Sequence, residues 1–335
     1  MRCTFDEMSK VCYAVAVGVI ALCCCFSVCS AATRTIGSMS DFETFVNVFS
    51  SASRDTVVLE TDLDFSGSSI SFPIGSTFRG VFDGKGHSIS NLVLDGSNKN
   101  DMSFFNDLNG ATIQNLVFDE SCSITGSQAC ALSLTASGSL KIYNVTTKAT
   151  LISRFQMAGG LVCTVSEATS IDVYNFQQNG VVTHKSAGPG PNAAGGLFAF
   201  VKFSNDLTIN ITNSANNGAV NATFSSSGPS ASLYVGGFTG IIAGFCENGS
   251  PCSLTMTVTN CRNTGDVYAD KARESHMGGF FSEIGGIYSN VHPNISFSMT
   301  NCSNVELLNL TQCLTPILVD LLERSAISAL HPPSL

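Results

Sequence analysis

Asp62 and Asp64 stand two residues apart on one short strand-like run, Asp83 and Asp95 fall at turns, and Asp119 is followed by Glu120. Carboxylates brought a few ångströms apart can hold calcium or work as an acid–base pair on a glycosidic bond. Asp at a corner is also ordinary turn chemistry, because its side chain bonds the backbone two residues on. The five histidines, His87, His184, His276, His292 and His331, are scattered, and no His-Glu-x-x-His run places two of them on one helical face. No Gly-x-Ser-x-Gly elbow presents a serine nucleophile, and no Cys-x-x-Cys or paired His gives zinc spacing. These residues therefore assign no catalytic group, no metal site and no cofactor.

The elements that carry them are easier to read. Seven times an apolar residue, one spacer and an asparagine end a strand-like run, at Asn91, Asn115, Asn144, Asn175, Asn213, Asn260 and Asn301. The spacing runs from roughly 24 to 47 residues, the range of solenoid repeats. Stacked coils would let each Asn amide bond the one below. Parity around the repeats points to one apolar face. Leu207, Ile209 and Ile211 alternate with polar residues, as do Leu254, Met256 and Val258, and Ile295, Phe297 and Met299. On that parity each Asn belongs to the inward set, as a buried ladder at a corner.

Composition agrees. The chain has 335 residues, 12% of them charged, a net charge of −9 and no Trp. Without a basic patch it offers nothing to a phosphate backbone, which excludes nucleic acid as a partner. The mean hydropathy of +0.25, with abundant Ser, Thr, Gly and Asn, suits short strands and many turns.

The fold class expected is all-β, a right-handed parallel β-helix of about seven recognisable coils. Residues 1–32 read as a signal peptide, with an apolar run from Val11 to Val28 and small residues at Ser30, Ala31 and Ala32. The alternative is an uncleaved anchor, the one route by which this chain would meet a membrane. Residues 33–55 read as a capping helix, with Ser40 as N-cap, Glu43 reaching back to it, and Phe42, Phe45, Val46 and Phe49 on one face. Residues 56–306 form the β-helix. Residues 307–335 read as a helical tail, begun by Thr315 and Pro316, with Ile317, Leu318, Leu321 and Leu322 as its apolar side.

The run Phe78-Arg79-Gly80-Val81-Phe82-Asp83-Gly84-Lys85-Gly86-His87-Ser88-Ile89-Ser90-Asn91-Leu92 resembles the opening of parallel β-helix domains with GLUG-type repeats. Such domains occur in bacterial surface proteins and beside some immunoglobulin-A peptidase domains. Gly159-Gly160-Leu161, Gly195-Gly196-Leu197, Gly236-Gly237-Phe238 and Gly278-Gly279-Phe280 each begin a new unit, and Val258 to Val267 looks like the family's usual repeat ending. The likeness spans about residues 38 to 305. It implies an exported or surface-exposed, non-enzymatic module with an extracellular protein or glycan as partner. A carbohydrate-active β-helix enzyme is the alternative.

Beyond the signal segment eight cysteines remain, and Cys246 and Cys252, flanking a tight turn, are the candidates for a local disulfide. Cys261 and Cys302 should stack about 4.8 Å apart on neighbouring coils, in an arrangement unfavourable for the disulfide torsion. Seven Asn-x-Ser/Thr sequons occur. With Asn144 and Asn301 assigned to a buried ladder, Asn210, Asn221, Asn248 and Asn294 are the candidate glycosylation sites.

Overall fold

The structure, a computed structural model, describes residues 31–304 apart from 50–53, 69, 97–99, 187–191, 225–231, 247–251, 271–273 and 288–292. The expected signal segment up to residue 30, the tail from 305, Asn248, His292 and His331 lie outside the described residues. The rest is a parallel β-helix. Every strand pairing among the described residues is parallel; a sheet of 20 strands runs the length of the solenoid from Thr33, and sheets of 6 and 5 strands join it from Val93 and Ala129 onward. Register is strict where the sequence alternates. Ile171, Ile209, Met256 and Phe297 occupy one position on four successive strands, which pair side by side. Alternation forces that register, since a one-residue slip would turn every apolar side chain to water.

Among the described residues a single helix, Met39–Val48, closes the N-terminal end. Its N-cap is Ser38 rather than Ser40. Ser38 accepts from the Asp41 amide, and the Asp41 carboxylate reaches back to Ser38 Oγ and the Gly37 amide. Asp41 thus takes the part expected of Glu43, because the strand Thr33–Ile36, unforeseen within 33–55, delivers the chain two residues earlier. Phe42 and Phe45 are buried by this docking, and Phe42 packs against the rings of Phe65 and Phe104.

The asparagine repeat is real, but it faces the other way. Asn91, Asn144, Asn175, Asn260 and Asn301 are exposed, and Asn115 and Asn213 are half-buried. All seven have φ between 51° and 54°, the left-handed region that Asn tolerates better than other side chains. That one residue breaks the strand's alternation, so parity carried across it gives the wrong face. On the outside the amides still bond from coil to coil. Asn144 Nδ2 donates to Asn115 Oδ1 at 2.9 Å, Asn175 to Asn144 at 3.0 Å, Asn260 to Asn213 at 3.1 Å and Asn301 to Asn260 at 2.8 Å.

A second column, three residues further on, is the buried one. Thr147, Gln178, Asn216 and Asn263 lie in register at 0–1% exposure, with Asn304 at its open end. Asn216 Nδ2 donates to Asn263 Oδ1 at 2.7 Å, and Asn263 Nδ2 donates to Asn304 Oδ1 and to the Gly265 carbonyl. The signal was present in the sequence as Asn213-x-x-Asn216, Asn260-x-x-Asn263 and Asn301-x-x-Asn304.

Candidate functional site

The carboxylates of the first coils are structural. Asp62 accepts from the Ser88 amide at 2.8 Å and lies 3.2 Å from His87 Nδ1. Asp64 accepts from Asn91 Nδ2 and the Ser66 amide, each at 2.8 Å. Asp83 begins the outer ladder, taking bonds from Asn115, Lys85 and Gln114. The Ser88 amide holds the Asp62 carboxyl below the usual range, Asn91 does so for Asp64, and the Ser121 amide for Asp119. At Asp83 desolvation pushes upward, but the three hydrogen bonds together outweigh it, and the net shift is down. A general acid needs a raised pKa near the working pH, and these four shift the opposite way. Asp95 lies 3.9 Å from Arg154. Among the described residues no three His, Cys, Asp or Glu side chains converge as metal ligands would.

His184 is a core residue. It is fully buried, with Nδ1 3.3 Å from Ser153 Oγ, and burial pulls its pKa down to about 4 against a smaller opposing bond from Asn192. The folded state holds it neutral, whereas the unfolded chain takes up a proton below about 6.5. Stability from this residue is therefore complete above pH 6.5 and is lost as the pH falls to about 4. The expected loss is about 3 kcal/mol across that window. Urea denaturation as a function of pH should show it in the wild type and not in His184→Gln.

A second packed region lies elsewhere, on the outside of the Gly-Gly corners. Ala194 and Val235 belong to the central core, so their strand neighbours Ala193 and Tyr234 turn to the opposite side. There they meet Phe200, Ile241, Ala243 and Phe245 from the strands after the corner, forming a second apolar cluster apart from the core. Two outer faces can touch only where the coil bends back on itself, so the cluster fills the re-entrant angle of that bend, here called the groove, with its buried side chains 0–8% exposed. Cys130 and Cys163 lie in it as a disulfide. The sequence reading missed this bridge, because it joins outward residues on neighbouring coils that only the corner brings together. Cys246 and Cys252 form the second disulfide, and Cys122, Cys261 and Cys302 are free thiols.

Toward the C-terminal end the groove becomes polar and accessible. His276 follows Tyr234 in register, and their rings stack at 4.7 Å with 24° between planes. His276 Nδ1 lies 3.5 Å from Glu283 Oε2, with the two side chains 40% and 28% exposed. Glu283 follows Ile241 on the facing wall. Lys202 Nζ stands 4.6 Å from the centre of the Phe245 ring. The arrangement offers flat aromatic surface beside one carboxylate and one cation, which suits binding of a neutral or mixed-charge ligand. At the other end an open cleft of about 390 Å3 is lined by Phe65, Ile70, Phe72, Leu92 and Leu94, with Asn91 at its rim. Asn91 is already bonded to Asp64 there.

The fold has a known counterpart. A crystal structure of a putative immunoglobulin A1 protease from Bacteroides ovatus superposes with a TM-score of 0.55 and 18% identity, over 81% of this chain and 74% of that one. At that identity the likeness concerns the fold alone. No family model matches this chain, and no curated protein does.

The sequons are placed differently from expectation. Asn144 and Asn301 are exposed rather than buried, because the left-handed residue turns the side chain outward, yet each amide nitrogen donates within the ladder. Asn210 is half-buried and its nitrogen donates to Asp172 at 2.9 Å. Asn221 is half-buried inside the strand Val220–Phe224, and Asn294 is exposed at the head of Asn294–Thr300.

Proposed function

We propose that this chain is an exported interaction module that binds an extracellular glycan or protein through the re-entrant groove, with Tyr234, His276, Glu283 and Lys202 as its contact residues. The observation that carries this reading is the second apolar cluster, which lies outside the core and opens onto a stacked aromatic pair beside a carboxylate. Two disulfides suit an oxidising compartment, and no described helix is long and apolar enough to cross a membrane. The resemblance to GLUG-type surface modules points the same way. Asn294 and Asn221 are the sequons we propose to carry glycan, since neither amide nitrogen has a role in the outer ladder.

The experiment is a glycan array probed with the secreted chain and with Tyr234→Ala/His276→Ala. Binding by the wild type that the double variant loses, with an unchanged circular dichroism spectrum, is the expected result. Binding that survives the double change would move the site off the groove. Release of new reducing ends from a bound polysaccharide would replace the reading with the carbohydrate-active one.

A further inference from the structure

The last described coil presents an apolar face that no described residue covers. Strand Asn294–Thr300 lies in register on Ser253–Thr259, so Ile295, Phe297 and Met299 stand over Leu254, Met256 and Val258. The lower three are buried, whereas Ile295 is 41% and Phe297 43% exposed. Phe281 packs edge-on against Phe297 and extends the patch. The backbone is open as well. The Asn294 amide donates to the Cys252 carbonyl, and the Asn260 amide donates to the Thr300 carbonyl. Even-numbered residues therefore pair downward, and the N–H and C=O groups of Ile295, Phe297 and Met299 point off the end. An apolar strand edge of this kind recruits other chains unless something covers it.

The opposite end shows how this protein covers an end. The 10-residue helix Met39–Val48 lays Phe42 and Phe45 over the first coils, and both are buried. Residues 305–335 follow directly on Asn304, at the rim of the open face, and make a segment about three times that length. They carry Ile317, Leu318, Leu321 and Leu322 at the spacing of one helical face, with Asp320, Glu323 and Arg324 between and after them.

We propose that residues 305–335 cover the C-terminal end of the solenoid, setting the apolar side of Pro316 to Leu322 on Ile295, Phe297 and Met299. The occupant is the chain's own tail, tethered beside the face it covers, so binding is intramolecular and concentration-independent. Its displacement would expose a sheet edge able to pair with a second copy.

The test is hydroxyl-radical footprinting of the full chain beside the variant Ile317→Asp/Leu318→Asp/Leu321→Asp, which leaves the solenoid residues untouched. Phe297 and Met299 should be labelled severalfold faster in the variant, while Phe104 in the core stays protected in both. Equal labelling of Phe297 and Met299 in the two proteins overturns the proposal. So does protection that rises with protein concentration, sediments with a dimer and persists in the variant, which would assign the face to a second copy.

Discussion

Asn263→Ala should lower the unfolding free energy by about 2–6 kcal/mol, read as an earlier midpoint in urea denaturation at unchanged slope. Asn263 is fully buried, accepts from Asn216 and donates to Asn304 and to the Gly265 carbonyl. Removing its amide strands the Asn216 donor and the Gly265 carbonyl, both buried, at about 1–3 kcal/mol each. Asn304 is exposed and turns to water instead. The companion variant is Asn260→Ala, three residues earlier in the exposed ladder. Its cost is that of a Cβ-bearing residue held at φ 54° without Asn's local bonding, about 1–2 kcal/mol. Asn260→Gly should recover most of that. A larger loss at Asn260 than at Asn263 would mean that the outer ladder, not the inner one, holds the coils together.

The solenoid was legible in the sequence because period-2 alternation and a repeating strand end are backbone properties, insensitive to what packs on them. Leu207, Ile209 and Ile211 point inward as their parity requires. What failed was the step from that parity to Asn213. A single left-handed residue reverses the facing direction, and φ is not written in a residue's neighbours. The inner column was within reach, since Asn216, Asn263 and Asn304 each follow an outer Asn by three. The groove was out of reach for a different reason. Phe200, Ile241 and Tyr234 read as ordinary strand residues, and only the bend at the corner sets their outer faces against each other. The Cys130–Cys163 pair is hidden by the same geometry. For the carboxylates, the i+2 hydrogen bonds support turn chemistry at Asp83 and Asp119 as expected, and at Asp64 as well, while Asp62 is held by the Ser88 amide of the next coil.

Gly237→Ala should be among the most damaging single-methyl changes at the described residues, at about 4 kcal/mol or more, with loss of the soluble fold as its extreme. The corner glycines do not owe their place to backbone freedom, since none from Gly159 to Gly279 at these Gly-Gly pairs has a positive φ. Close approach requires them. A Cβ on Gly160 would run into the Gly196 carbonyl, one on Gly196 into that of Gly237, and one on Gly237 into that of Gly279. The same direction leads into the inner column. The amide oxygens of Gln178, Asn216 and Asn263 would lie 2.9, 2.8 and 2.6 Å from a Cβ on Gly160, Gly196 and Gly237. A methyl group at residue 237 therefore meets a backbone carbonyl above and a buried amide beside it. Neither can retreat without moving its own coil, so overpacking is not relieved by rotamer change. Gly75→Ala is the control, because nothing lies within 4 Å of a Cβ there and its stability change should stay below about 1 kcal/mol. Thermal melting of the two variants side by side decides the matter. Similar melting points would mean that the corners have slack, and that the Gly-Gly repeats record chain geometry rather than contact with the inner column.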